Sequence, residues 1–144
     1  MTTANFTGSC LCGEVRFELT REPVWAVNCH CSRCRKTSGT AFASNLFVPY
    51  DALHYTQGEN HLRSYKPPEA ERFTHVFCNR CGSTLPFASA TRGVVGVPMG
   101  SLDDDPRYSP RAHIHVESRA PWFEITDGLP QHPTGPGSGE DVEK

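Results

Sequence analysis

Seven cysteines stand in three short clusters: Cys10-Leu11-Cys12-Gly13, Cys29-His30-Cys31-Ser32-Arg33-Cys34, and Cys78-Asn79-Arg80-Cys81-Gly82. No cysteine lies outside them. Thiols that merely pack a core do not group in this way. Disulfides fit poorly as well, because the count is odd and a Cys-x-Cys pair is badly placed to bridge with itself. The remaining chemistry is metal ligation by soft thiolates, which suits zinc or an iron–sulfur cluster.

The spacing divides the seven into four and three. Cys78-x-x-Cys81-Gly82 has the form of a zinc knuckle, with one thiolate entering the turn, one leaving it, and a glycine taking a positive φ behind them. Cys10-x-Cys12-Gly13 is a tighter half-knuckle with the same trailing glycine. Joined across the chain, Cys10, Cys12, Cys78 and Cys81 make a closed site that staples distant segments together. Cys29, Cys31 and Cys34 are left. On an extended segment Cys29 and Cys31 point to one face and His30 to the other, and a turn at Ser32-Arg33 returns Cys34 to them. Three convergent thiolates can hold zinc with a position left for water or substrate, or a distant histidine can close the site. Three thiolates on one Zn²⁺ leave a net negative charge, and Arg33, Arg35 and Lys36 stand next to it to offset that charge or to hold an anionic substrate.

Strands must position these clusters. Residues 14–20 alternate, with Val15, Phe17 and Leu19 on one face and Glu14, Arg16, Glu18 and Thr20 on the other. A second alternation sets Ala112, Ile114 and Val116 opposite His113 and His115, a histidine pair read as one face of a half-polar strand. Further strands are expected at Trp25–Asn28, Phe42–Val48, His61–Tyr65, Arg72–Phe77, Val94–Val97 and Trp122–Thr126, divided by Gly and Pro. Short helices or turns are expected at Arg33–Ser38 and near Pro68–Arg72. His75 is expected to pack rather than ligate, Trp25 and Trp122 to be core or rim aromatics, and Asp103 to Asp105 to form a solvated turn.

The chain has 144 residues, 37% of them hydrophobic, with 12 Gly and 12 Pro. That suits one domain with a modest core and many turns, residues 1–130. From Pro130 to Lys144 six residues are Gly or Pro and none is aromatic, so residues 131–144 read as a disordered tail. The net charge of -2 and the lack of a basic stripe exclude a nucleic-acid footprint. No stretch is apolar enough to span a bilayer, and the N-terminus has no signal-peptide pattern, so the expected location is cytoplasmic.

Taken in order, five blocks resemble the glutathione-dependent formaldehyde-activating enzyme family, also called the centromere protein V/GFA domain family. They are Gly8 to Gly13, Cys29 to Gly39, Phe77 to Ser83, Gly100-Ser101-Leu102-Asp103, and His113-Ile114-His115-Val116 through Ala120-Pro121-Trp122. The resemblance implies a mainly β fold of the Mss4-like type, built of several small antiparallel sheets. It implies two zinc ions: a structural one at Cys10, Cys12, Cys78 and Cys81, and an active-site one at the catalytic cluster Cys29, Cys31 and Cys34. It also implies a carbon–sulfur lyase that reversibly joins formaldehyde to a small thiol partner such as glutathione. His30, Ser38 and solvent are the candidates for moving the proton. The alternative is a zinc-stabilised binding module without catalysis. A methionine sulfoxide reductase would need a metal-free nucleophilic cysteine, and every cysteine here already has a ligand role.

Overall fold

The computed structural model describes residues 5–89 and 92–136. It is mainly β, in three small sheets. The first is antiparallel, with β1 (Phe6–Ser9), β2 (Arg16–Leu19) and β5 (Leu53–Gln57) in the order β1-β2-β5. The second has five strands in the order β11-β3-β4-β10-β9, formed by His113–Ile114, Trp25–Cys29, Ala43–Pro49, Val94–Pro98 and Phe87–Ser89. The third orders β6 (Leu62–Tyr65), β7 (His75–Cys78) and β8 (Thr84–Leu85) as β6-β7-β8. The single α-helix among the described residues, α1, spans Ser32–Ser38. Among the described residues no helix is long and apolar enough to cross a membrane.

The alternation at residues 14–20 delivers what its pattern requires. Val15, Phe17 and Leu19 are buried at 0–1% exposure, and the Phe17 ring meets Tyr55 edge-on at 6.2 Å. They join Leu46, Val48, Val95 and Val97 of the central sheet in the main core. A smaller cluster of Val27, Cys29, Cys34 and Ile114, with Trp25, Phe47 and Phe73 against it, sits at one end of β3.

That end is where the chain inserts a helix into a hairpin. β3 stops at Cys29, α1 follows, and β4 returns so that Ala43 faces Cys29. The helix starts after Cys31, whose extended backbone makes it the N-cap, and ends at Gly39, in the left-handed conformation at φ 70°. The Arg35 guanidinium Nε donates to the Ser118 carbonyl at 3.1 Å, tying the helix to the C-terminal region.

Three expectations are corrected. The pairing of β11 with β3 is parallel, so the central sheet is mixed rather than antiparallel. Ala112, His113 and Ile114 are all buried, because a central sheet covered on both faces has no polar side; His115 then leaves the strand at φ 57°. Residues 122–126 form no strand: the Phe123 N–H closes a turn onto the Ala120 carbonyl at 3.1 Å, and Trp122 is 71% exposed. The expected tail, residues 131–144, begins in contact with β11. The His113 N–H bonds the Pro130 carbonyl, His132 N–H the His113 carbonyl, and His115 N–H the Thr134 carbonyl, at 2.7–2.9 Å. Residues 130–134 thereby strap the edge of β11, satisfying its backbone polar groups despite the Pro-rich composition. The rest of the expected tail, from residue 137, lies outside the described residues.

Candidate metal centres

The two knuckles are turns of different length that close in the same way. Gly13 N–H bonds the Cys10 carbonyl at 3.0 Å and Gly82 N–H bonds the Cys78 carbonyl at 2.8 Å, with both glycines at φ 81°. Each turn aims a backbone amide at its first sulfur: Val15 N–H lies 3.3 Å from Cys10 Sγ and Arg80 N–H 3.3 Å from Cys78 Sγ. Such donors favour thiolate over thiol. β1 and β7 carry the turns to one place, where the sulfurs of Cys10, Cys12, Cys78 and Cys81 all lie within 4.8 Å of one another. The Cys10–Cys12 and Cys12–Cys78 sulfur separations are 3.6 and 4.0 Å. A tetrahedron of sulfurs ~2.3 Å from zinc has edges of about 3.8 Å, so the donor set fits that ion. The Ser83 hydroxyl, 3.2 Å from Cys81 Sγ, helps draw the Cys81 pKa down to about 5.

Cys29, Cys31 and Cys34 form the second group, again with all sulfurs within 4.8 Å. Among the described residues no histidine or carboxylate joins them. Cys29 and Cys34 are buried and Cys31 is half-buried. The Cys34 N–H lies 3.3 Å from Cys31 Sγ. The neighbouring Cys29 and Cys34 thiols, that amide and the nearby His115 hold the Cys31 pKa well below the usual thiol range. Cys29 is pushed up by hydrogen bonding to Cys31 and by burial, against a lowering contact from Cys34, and Cys34 is pushed up by hydrogen bonding to both other sulfurs and by burial. A cation held among the three sulfurs would favour their ionised forms.

A groove of about 1510 Å³ opens over these sulfurs. Its walls include Trp25, Phe47 and Phe73 on the apolar side and Thr37, Asn45 and Arg72 on the polar side. Arg33 lies 5.7 Å over the Phe73 ring and 3.6 Å from Glu69, so it is part of a wall already paired. Arg35 is spent on Ser118, as described above. The basic triplet is thus partly structural.

The candidates for moving a proton are rearranged. His30 faces away from the sulfurs, as alternation on an extended segment requires. It is wholly buried, and burial pushes its pKa down to about 4. The Ser38 hydroxyl lines the groove but donates to the Cys34 carbonyl at 2.7 Å. His115 was not singled out for this role by the sequence. It lines the groove and stands close enough to Cys31 to act electrostatically on its thiolate. Its left-handed backbone, rare for a residue with a side chain, is a signal only coordinates carry. His75 packs as expected, stacked 5.1 Å from Phe77, with burial lowering its pKa.

A family model described as glutathione-dependent formaldehyde-activating enzyme matches residues 5–118. A Halomonas elongata protein provisionally named as a glutathione-dependent formaldehyde-activating enzyme is 35% identical over 137 residues, spanning 82% of this chain and 79% of the relative. Among solved structures, the crystal structure of a Rhodobacter sphaeroides protein, a structural genomics target, is similar with a TM-score of 0.53 and 26% identity. It covers 70% of this chain and 92% of its own. The cysteine knuckles, the three-sulfur groove and these matches agree: the chain belongs to the glutathione-dependent formaldehyde-activating enzyme family.

Proposed function

We propose that the protein is a zinc-dependent carbon–sulfur lyase that joins formaldehyde to a small thiol, glutathione by family, and releases it in reverse, on a fold of the Mss4-like type. The observation that carries this reading is the three-sulfur cluster with no fourth ligand among the described residues, opening on a groove wide enough for a tripeptide. Cys10, Cys12, Cys78 and Cys81 would hold a structural zinc; Cys29, Cys31 and Cys34 would hold the active-site ion. Zinc bound there would supply a site at which a substrate thiol stays ionised near neutral pH.

The chain's own residues do the rest. The groove aligns the substrate sulfur with the cluster and shields it between Phe47, Phe73 and Trp25. In the forward direction the sulfur–carbon bond forms, the carbonyl π bond breaks, and the proton lost by the thiol ends on the new hydroxyl oxygen. His115 is the imidazole placed at the groove to carry that proton.

The test is metal content and turnover together. Two zinc ions per chain are expected, one of them readily chelated, with glutathione perturbing the labile one. Formation of S-hydroxymethylglutathione should be accelerated by the protein and lost in Cys31→Ser, which keeps its fold. One zinc per chain, or no acceleration from a two-zinc protein, would leave the non-catalytic binding module as the function.

A further inference from the structure

Behind the three-sulfur cluster runs a buried chain of polar side chains that the reaction does not use. His30 Nε2 lies 2.8 Å from His113 Nδ1. His113 Nε2 lies 3.1 Å from both carboxylate oxygens of Asp127. His30 and His113 are 0% and 1% exposed, while the Asp127 side chain is about half exposed at 49%. Phe42 packs on both imidazoles, with ring centroids 5.0 Å from His30 and 5.9 Å from His113. Phe123 closes the box 6.2 Å from His30.

The chain has a direction. The Asp127 carboxylate only accepts, and it is held ionised by the His113 bond first and then by the Leu129 N–H. A neutral His113 then donates from Nε2 and accepts at Nδ1, so His30 donates from Nε2. No protein donor among the described residues reaches His30 Nδ1. One hydrogen bond thus sets the rotation of the His30 ring, and that ring is the middle residue of Cys29-His30-Cys31. The backbone here is held from the same side, since His30 N–H bonds the Ile114 carbonyl at 3.0 Å.

The geometry points to Asp127 and His113 as positioning residues for the second metal centre: through His30 they fix the loop that aims Cys29 and Cys31 at a common ion. The arrangement is the carboxylate–histidine support that often lies behind metal ligands, moved one residue along the chain so that it braces the ligand loop instead of a ligand. Asp127 lies beyond the residues that the family model matches. The inference rests on the reading that Cys29, Cys31 and Cys34 hold a metal.

The experiment compares the full-length chain with Asp127→Ala and Asp127→Asn by competitive titration of Zn²⁺ against a chromophoric chelator. Cobalt substitution reports the thiolate charge-transfer bands of each site. In Asp127→Ala the dissociation constant of the weaker equivalent is expected to rise about tenfold to a hundredfold, while the tighter equivalent is unchanged. Asp127→Asn should restore it, because an amide oxygen at the Oδ1 position still accepts from both His113 and Leu129. An unchanged weaker equivalent in Asp127→Ala, whatever happens to thermal stability, overturns the inference. Nitrogen NMR of the zinc-loaded wild type supplies a test free of folding effects: a His30 proton on Nδ1 instead of Nε2 also overturns it. If the wild type takes up a single equivalent, the metal reading itself fails and the inference goes with it.

Discussion

Removing both sulfurs of one knuckle separates a structural clip from a working site. In Cys78→Ser/Cys81→Ser the link between β1 and β7 is lost; in Cys29→Ser/Cys31→Ser only a local loop is released. Cys12 and Cys78 are 66 positions apart, and restraining a loop of that length removes about 4 kcal/mol of chain entropy from the unfolded state. The six-residue span from Cys29 to Cys34 yields about 2 kcal/mol by the same relation. Each double variant replaces one buried and one half-buried sulfur, so the cost of burying serine is shared and drops out of the comparison. The difference of about 2 kcal/mol corresponds to about 6–8 °C in a chain of this size. Thermal melts and urea titrations of the zinc-loaded proteins measure it, with the Cys78→Ser/Cys81→Ser protein expected to melt lower. Equal melting temperatures, or the reverse order, would refute the division into clip and open site.

Three further outcomes are expected. Gly82→Ala has free space around its new methyl but must hold φ near 81°, so urea denaturation should show a loss of about 1–2 kcal/mol with metal content unchanged. His115→Ala should lower kcat for thiol–formaldehyde addition by about 10²-fold or more with little change in KM, checked by steady-state kinetics. Asp104 accepts from the Thr7 N–H and hydroxyl at 2.7 and 2.8 Å, which holds its pKa below the usual carboxylate range. The stability it adds is therefore fully present above the unfolded pKa of about 4 and fades as pH falls through the lower folded value. Asp104→Asn should melt below wild type at pH 7, with the gap closing at acid pH.

What was legible in the sequence was local. Alternation at Val15, Phe17 and Leu19 named a buried face because β2 sits in a sheet with one face on the core. The repeated Cys-Gly endings named two turns with a common close because a positive φ completes each. The grouping into four sulfurs and three also followed from these local signals, and the coordinates bring together the same two sets. The missed features depend on partners far away in the chain. His113 looked like half of a polar face because parallel pairing with β3, which buries it on both sides, joins segments about 85 positions apart. Gln131 to Thr134 looked structureless because a strap held by backbone hydrogen bonds needs no apolar pattern. Asp127 carried no signal, since its meaning depends on a histidine it meets only after folding.

The parallel seam between β3 and β11 also sets an order of assembly. Synthesis from the N-terminus supplies every residue of the four-sulfur clip by Cys81, well before β11 exists. The three-sulfur loop is made earlier still, yet its backing of His113, Asp127 and the strap is made after both clusters. A nascent chain can thus gather its four sulfurs while the second cluster is still unbraced. A gathered four-sulfur clip and a loose three-sulfur loop are therefore successive states of one chain, and rigidity at the second cluster is the later acquisition.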